Sequence, residues 1–280
     1  MEKCYSLEEI KECSDKWQRS SQTVGFVPTM GNLHSGHLCL IKEAKLQCDR
    51  VVVSVFVNPE QFGPNEDFKE YPRSEESDIQ LCEESGVNVV WFPQKTQIYP
   101  EGFSTYAEED DLSHFLCGKS RQGHFRGVCT VLVILFNLVR PQKVFLGQKD
   151  AQQALVVKKM IQDWHLPLEA VVCPLQREYD GLAMSSRNAN LSREQRTQST
   201  VVCQSLEAAK KLILQGKTDA SRIAGEINHI LTKKRLIRVI YIEIVSRKTL
   251  RPLKKIETGD TLIAVAVWLG SVRLIDNIEV

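Results

Sequence analysis

Five short runs of the chain are rich in apolar residues: Val24 with Phe26 and Val27, then Val51–Val57, Val87–Phe92, Lys143–Leu146 and Leu168–Cys173. Val51–Val57 is nearly continuous, as in a strand buried on both faces of a parallel sheet. Between the runs, apolar positions recur at helical spacing. Leu38, Leu40, Ile41, Ala44 and Leu46 mark one helix, Glu75–Ser85 closed by Gly86 a second, Val128–Arg140 a third, and a fourth ends near Asp163. Residues 6–19 set Leu7, Ile10 and Trp17 among charges and predict a first surface helix. Strands alternating with helices predict an α/β fold, a doubly wound parallel sheet. Residues 93–127 are irregular and polar, too long for an idle connector, and are expected to line or cover a site.

Past Arg177 the pattern changes. A polar loop leads to two amphipathic helices, about 192–214 and 218–233, and then to three β-like segments, Val239–Val245, Thr261–Val267 and Val272–Ile275. The predicted boundary lies near residue 176, giving a sheet domain over 1–175 and a smaller α+β domain over 176–280.

In doubly wound sheets, ligands bind outside the carboxyl ends of the strands. Three such ends carry polar clusters: Met30–His37, Asn58–Gln61 and Gly147–Asp150. The first is the most informative. Pro28 biases Val27 toward an extended backbone, Gly31 permits a tight turn, and Gly36 lets a ligand approach the first helical turn. A helix start there offers free N–H groups and the positive end of the helix dipole to phosphate. His34 and His37, three residues apart, share one face of that turn. Either histidine alone reads as an ordinary cap; the pair, with Gly31 and Gly36 between a strand and a helix, points to a nucleotide site. Neither a Gly-Lys-Ser/Thr phosphate loop nor a Gly-x-Gly-x-x-Gly turn is present.

Lys149 and Arg187 are candidate cations for a triphosphate, since charge-assisted hydrogen bonds are the strong ones. Lys149 also reads as a solvated helix-start lysine, Asp150 as an N-cap, and Ser185 and Ser186 as turn residues. Gln153 follows Lys149 and Asp150 by one helical turn, and with Gln61 it could orient a hydroxyl-bearing carboxylate without adding negative charge.

Charge and cysteine usage narrow the function further. With 36 basic and 35 acidic side chains among 280 residues, nothing points to nucleic acid or an anionic membrane. Nine scattered cysteines with no Cys-x-x-Cys pair predict reduced, cytoplasmic usage rather than a disulfide frame or zinc site. The first residues carry no secretion-signal core, and Val128–Val139 is too short to span a bilayer. No Ser-His-Asp or Cys-His signature and no metal-ligand spacing is visible, so no covalent enzyme intermediate is expected.

Taken together, Pro-Thr-Met-Gly-x-Leu-His-x-Gly-His at 28–37, Phe-Val-Asn-Pro-x-Gln-Phe at 56–62, Tyr-Pro-Arg at 71–73, Gly-His-Phe-Arg-Gly-Val at 123–128, Gly-Gln-Lys-Asp-Ala-Gln-Gln at 147–153 and Asp-Gly-Leu-Ala-Met-Ser-Ser-Arg-Asn at 180–188 resemble the pantoate–β-alanine ligase family (pantothenate synthetases). These motifs run in order over about 22–190. The family belongs with nucleotidyltransferases related to class I aminoacyl-tRNA synthetases, which implies a Rossmann-like sheet domain. His34-Ser35-Gly36-His37 is similar to their H-I-G-H turn. Met184–Arg187 stands where their K-M-S-K-S loop would be, with Arg187 and no lysine.

The resemblance implies ATP-dependent joining of (R)-pantoate to β-alanine through pantoyl adenylate, with release of pyrophosphate and then AMP. ATP would be held by Met30, Gly31, Asn32, Leu33, His34, Ser35, Gly36, His37, Gly147, Gln148, Lys149, Asp150, Gln176, Met184, Ser185, Ser186 and Arg187. His37 would be the proton donor, with His34 and Lys149 beside it in catalysis. Gln61 and Gln153 would hold pantoate, with Gln61 also near β-alanine; Asn58, Tyr71, Arg121 and His124 match positions around the acyl pocket. Mg2+ would enter with ATP, without an organic cofactor; its protein ligands stay open, and Asp78 reads first as a helix-surface aspartate. A cytoplasmic homodimer is expected. Another adenylate-forming enzyme of this fold, or a nucleotide-binding regulatory module without turnover, remain the alternatives.

Overall fold

In the computed structural model, which describes every residue except Asn65, the chain divides into two compact units. The first comprises residues 1–110, 121–148 and 153–174; the second, residues 111–120, 149–152 and 175–280. Asn65, which opens the charged segment before Arg73, lies outside the described residues.

In chain order the first unit carries β1 (Glu2–Cys4), α1 (Leu7–Arg19), β2 (Val24–Thr29), α2 (Ser35–Gln47), β3 (Arg50–Val55), α3 (Glu75–Glu84), β4 (Val89–Trp91) and α4 (Lys95–Ile98). After α5 (Leu116–Ser120), which falls in the second unit, come α6 (His124–Val139), β5 (Lys143–Gly147), α7 (Ala151–Asp163) and β6 (Glu169–Cys173). The six strands form one parallel sheet in the order β1-β4-β3-β2-β5-β6. Val27, Val51, Val53 and Val90 are almost completely buried and pack with Ile41 and Ala44 of α2, which is why these strands read as unbroken apolar runs. The order reverses between β2 and β5, and the crevice outside their carboxyl ends is where such sheets hold ligands.

β1 was not expected: a three-residue polar segment carries no periodicity, and it is a strand because its backbone pairs with β4 at the edge of the sheet. α6 begins at His124 rather than Val128, launched by Gly123 at φ 75°. The anticipated helix over 192–214 is two, α8 (Arg193–Ser199) and α9 (Val201–Leu214), broken at Thr200.

In the second unit, α9 and α10 (Ala220–Thr232) pack on one face of an antiparallel sheet of β7 (Ile237–Ser246), β8 (Thr261–Leu269) and β9 (Val272–Glu279). Leu206, Ile223, Ile227, Leu231, Val265, Val267 and Leu274 form that core. β9 runs four residues beyond Ile275, through Asp276 and Asn277. These residue types usually signal a turn; here their side chains are spent on buried hydrogen bonds. All nine cysteines are free, and no helix among the described residues is long and apolar enough to cross a membrane.

Candidate active site

The chain leaves β2 through Met30, turns at Gly31 (φ 82°) and Asn32 (φ 50°), and enters α2 with His34 as N-cap. Gly31 is needed twice over: a Cβ there would lie 2.9 Å from Val55 Cγ1 and 3.0 Å from Asp78 Oδ2, in a backbone region that side chains disfavour. Asp78 from α3 closes the turn. It is not a surface residue but only 1% exposed, its two oxygens accepting the N–H groups of Leu33 at 2.7 Å and Asn32 at 2.9 Å. Burial pushes its carboxyl above the ordinary aspartate range, against the downward pull of those two N–H groups.

At the helix start, His34 Nδ1 accepts the N–H of Gly36 at 3.1 Å, and His37 Nδ1 accepts the N–H of His34 at 3.3 Å. The rings lie 4.2 Å apart. Because both Nδ1 atoms act as acceptors, a neutral ring at either position carries its proton on Nε2. The turn therefore sets two imidazoles at the positive end of a helix with no acidic residue in its first turn.

Beyond β3, residues Pro59–Gln61 form a single 3-10 turn capped by Asn58. Asn58 is 1% exposed; it donates to Gly127 O at 3.1 Å and Gln61 Oε1 at 3.2 Å, and accepts from Tyr99 Oη at 2.7 Å. Gln61 Nε2 points to Met30 Sδ at 2.8 Å, so this amide sits beside the histidine turn. The main-chain carbonyl of Gln61 accepts from His124 Nδ1 at 2.8 Å and from Arg121 Nη2 at 3.3 Å. Arg121 also makes a paired contact with Glu66 at 2.7 and 2.6 Å and meets His124 Nε2 at 3.0 Å. A carbonyl can only accept and a guanidinium only donate, so His124 carries its proton on Nδ1. α6 presses directly on this turn: a Cβ at Gly127 would stand 2.1 Å from Glu60 O. Tyr71 is buried, its ring edge-on to Phe62 at 5.9 Å.

Gly147 ends β5, and Gln148 opens the 3-10 turn that follows it. On α7, Gln153 is half-buried, and its side chain has no hydrogen-bond partner among the described residues. Its neighbour Gln152 is fully engaged, donating to Leu112 O and Phe115 O and accepting from Cys117 N.

The second unit holds the other candidates. Lys149 is half-buried with Nζ 3.6 Å from Asp150 Oδ2. Residues 176–184 form a small hairpin: Met184 N–H donates to Gln176 O at 3.0 Å, Arg177 pairs with Ala183, and Gly181 turns the tip at φ 93°. Arg196 grips that tip through Glu178 at 2.6 Å and Asp180 at 2.5 Å, holding the Asp180 carboxyl below its usual range. Ser185 then caps the 3-10 turn Ser186–Asn190 by accepting the N–H of Arg187 at 3.3 Å. Ser186 is buried and Arg187 half-buried. At the hairpin's root, Arg177 is paired with the buried Asp276 at 2.7 and 2.9 Å. Burial pushes the Asp276 carboxyl up while Arg177 opposes it.

Two features escaped the sequence. Asp276 and Asn277 were passed over at the end of an apparent strand, and no local signal singles them out. The fold also brings ligand atoms of Glu2, Cys4 and Cys13 within 4.8 Å of one another, although no metal-ligand spacing is visible along the chain. Cys13 Sγ donates to Glu2 Oε1 at 3.3 Å, and burial pushes the Cys13 thiol up to about 11 and the Cys4 thiol further.

A doubly wound parallel sheet whose switch-point strand feeds a histidine-bearing helix start, joined in one chain to a smaller α+β unit, places the protein in the α/β class. The comparisons with known proteins name the kind. The Pantoate-beta-alanine ligase family model matches residues 2–279. A pantothenate synthetase of Thermotoga petrophila is 49% identical over 272 residues, 97% of each chain, and one of Caldicellulosiruptor bescii is 46% identical over 274 residues, 98% of this chain and 97% of its own. The crystal structure of pantothenate synthetase from Thermus thermophilus superposes with a TM-score of 0.94 at 40% identity, covering 100% of this chain and 99% of that one. The Francisella tularensis pantoate-beta-alanine ligase, complexed with beta-gamma ATP and beta-alanine, superposes at 0.82 with 33% identity over 100% and 97%. The chain belongs to the pantoate–β-alanine ligase family and is an amide-forming carbon–nitrogen ligase.

Proposed function

We propose that the chain joins (R)-pantoate to β-alanine in two steps. A pantoate carboxylate oxygen attacks the α-phosphorus of ATP, forming pantoyl adenylate and expelling pyrophosphate. The β-alanine amine then attacks the activated carbonyl, forming the amide and releasing AMP. Adenylation is needed because a free carboxylate is a poor acyl donor. ATP enters as its magnesium complex, the metal held mainly by phosphates and water.

The observation that carries this reading is the histidine turn, where both Nδ1 atoms accept backbone N–H groups, which sets two imidazoles with Nε2–H tautomers at the positive end of one helix. Negative charge grows on the transferring phosphate in the transition state, and preorganised donors act most strongly there. His37 donates a proton or hydrogen bond to that phosphate, with His34 beside it. The turn Met30–His37, the segment Gly147–Asp150, the main chain at Gln176 and the loop Met184–Arg187 hold ATP, and Lys149 and Arg187 neutralise its phosphates. Gln61 and Gln153 orient pantoate, and Gln61 also meets β-alanine; the spare hydrogen-bonding capacity of Gln153 supports its share. That the Francisella tularensis relative was solved in complex with beta-gamma ATP and beta-alanine supports these two substrates. We place the enzyme in the cytoplasm as a homodimer, on its reduced cysteines and the family likeness.

The test is pyrophosphate exchange into ATP with Mg2+ and pantoate present and β-alanine withheld. Pantoate-dependent exchange is the expected result. An enzyme that binds ATP yet shows no exchange, but releases AMP once β-alanine is added, overturns a separate adenylation step.

A further inference from the structure

Asp276 and Asn277 stand side by side on β9, 3% and 6% exposed. Successive strand residues point to opposite faces, so this dipeptide reaches two segments far apart in sequence. Asp276 accepts both Nη atoms of Arg177, at 2.7 and 2.9 Å, and the N–H of Asn277 at 2.7 Å. Arg177 Nη1 also donates to Gly181 O at 2.9 Å, so one ion pair fixes the root of the hairpin that leads into Ser185–Arg187. Asn277 Nδ2 donates to the main-chain carbonyl of Lys149 at 3.0 Å. Behind the pair stands β8, with Val265 opposite Asp276 and Ala264 opposite Asn277, all inside the buried sheet.

Stability alone does not call for this arrangement. Burying a carboxylate and a carboxamide is costly unless each is bonded, and a buried ion pair is often no better than a well-packed apolar pair. What the dipeptide supplies is geometry: one rigid strand holds the lysine-bearing segment on one side and the base of the serine–arginine loop on the other.

We propose that Asp276 and Asn277 are positioning residues for the phosphate-binding cations, Asn277 acting through the main chain at Lys149 and Asp276 through Arg177. Neither touches the nucleotide. The inference rests on Lys149 and Ser185–Arg187 being ATP ligands, as read above. Asp276→Asn strips the partner from a buried guanidinium and can simply unfold the unit, so Asn277 carries the test.

Magnesium-ATP affinity is measured by calorimetry for the wild type, Asn277→Ala, Lys149→Ala and the double variant. Asn277→Ala is expected to weaken binding about ten-fold, the scale of one well-placed hydrogen bond. Added to Lys149→Ala it costs nothing further, because it works through that lysine. In the exchange assay the KM for ATP rises and the KM for pantoate stays. Unchanged affinity in Asn277→Ala, or losses that multiply in the double variant, overturn the proposal in favour of a purely structural role. A wild type that binds ATP without exchange removes the reaction assigned above while the cycle still decides this point. A wild type without ATP affinity overturns both.

Discussion

The histidine turn and the serine–arginine loop are both read as phosphate sites, yet they are built by opposite means. The turn is made almost entirely by main chain and local side chains: a left-handed glycine, two imidazoles capping their own helix, and one carboxylate from the next helix in the same unit. The loop is held by side chains reaching from afar. Arg196 pulls its tip and Asp276, 99 residues beyond Arg177, anchors its root. Local construction makes a site rigid and its motif recognisable; distant construction lets a plain loop hold an exact position only when another element supplies the ties.

The largest expected effect puts the two regions on equal terms. His37→Ala and Lys149→Ala should each lose on the order of 100-fold or more in turnover, the scale of removing one preorganised donor, while both variants still fold. Near-normal turnover in either purified variant would break the symmetry and confine catalysis to the other region.

A smaller effect probes the local side through packing. Gly127→Ala drives a Cβ into Glu60 O, now 2.1 Å from where it would stand, and must shift either α6 or the Gln61 turn. The KM for pantoate should rise about ten-fold, with a loss of about 1–3 kcal/mol in stability measured by urea unfolding. A variant with lower stability and unaltered pantoate KM would detach Gln61 from the acyl pocket.

The smallest effect is titration, and the two regions should respond in opposite senses. Arg196 holds Asp180 below the ordinary aspartate value of 3.8, so its contribution is present above that pH and fades as pH falls through the lowered value. Burial raises Asp78 above 3.8, so its contribution is greatest below 3.8 and is lost as pH rises through the raised value. Following unfolding from pH 6 to pH 3, Asp180→Asn should flatten the acid-side loss of stability and Asp78→Asn should steepen it. Parallel shifts in both would contradict the assigned causes.

How much of this was legible in the sequence follows from the same contrast. The buried parallel strands announced themselves as apolar runs, and Gly31, His34 and His37 announced the turn because their roles are satisfied within a few residues of one another. Asp78 was misplaced on the surface: its partners, the N–H groups of Asn32 and Leu33, lie 46 and 45 residues away, and nothing in the spacing of α3 reveals them. Asp276 and Asn277 were lost for the same reason, their turn-like character masking a strand whose side chains serve a distant loop. β1 and the early start of α6 depend on pairing with β4 and on the left-handed Gly123, neither of which hydrophobic periodicity records.

Transfer of oxygen-18 tests the acyl-adenylate chemistry most directly. Pantoate labelled in both carboxylate oxygens is turned over with ATP and β-alanine, and the products are weighed by mass spectrometry. Attack of the carboxylate on the α-phosphorus, followed by amine displacement, predicts one labelled oxygen in AMP and one kept in the amide. Label in the pyrophosphate or inorganic phosphate, with none in AMP, would contradict it.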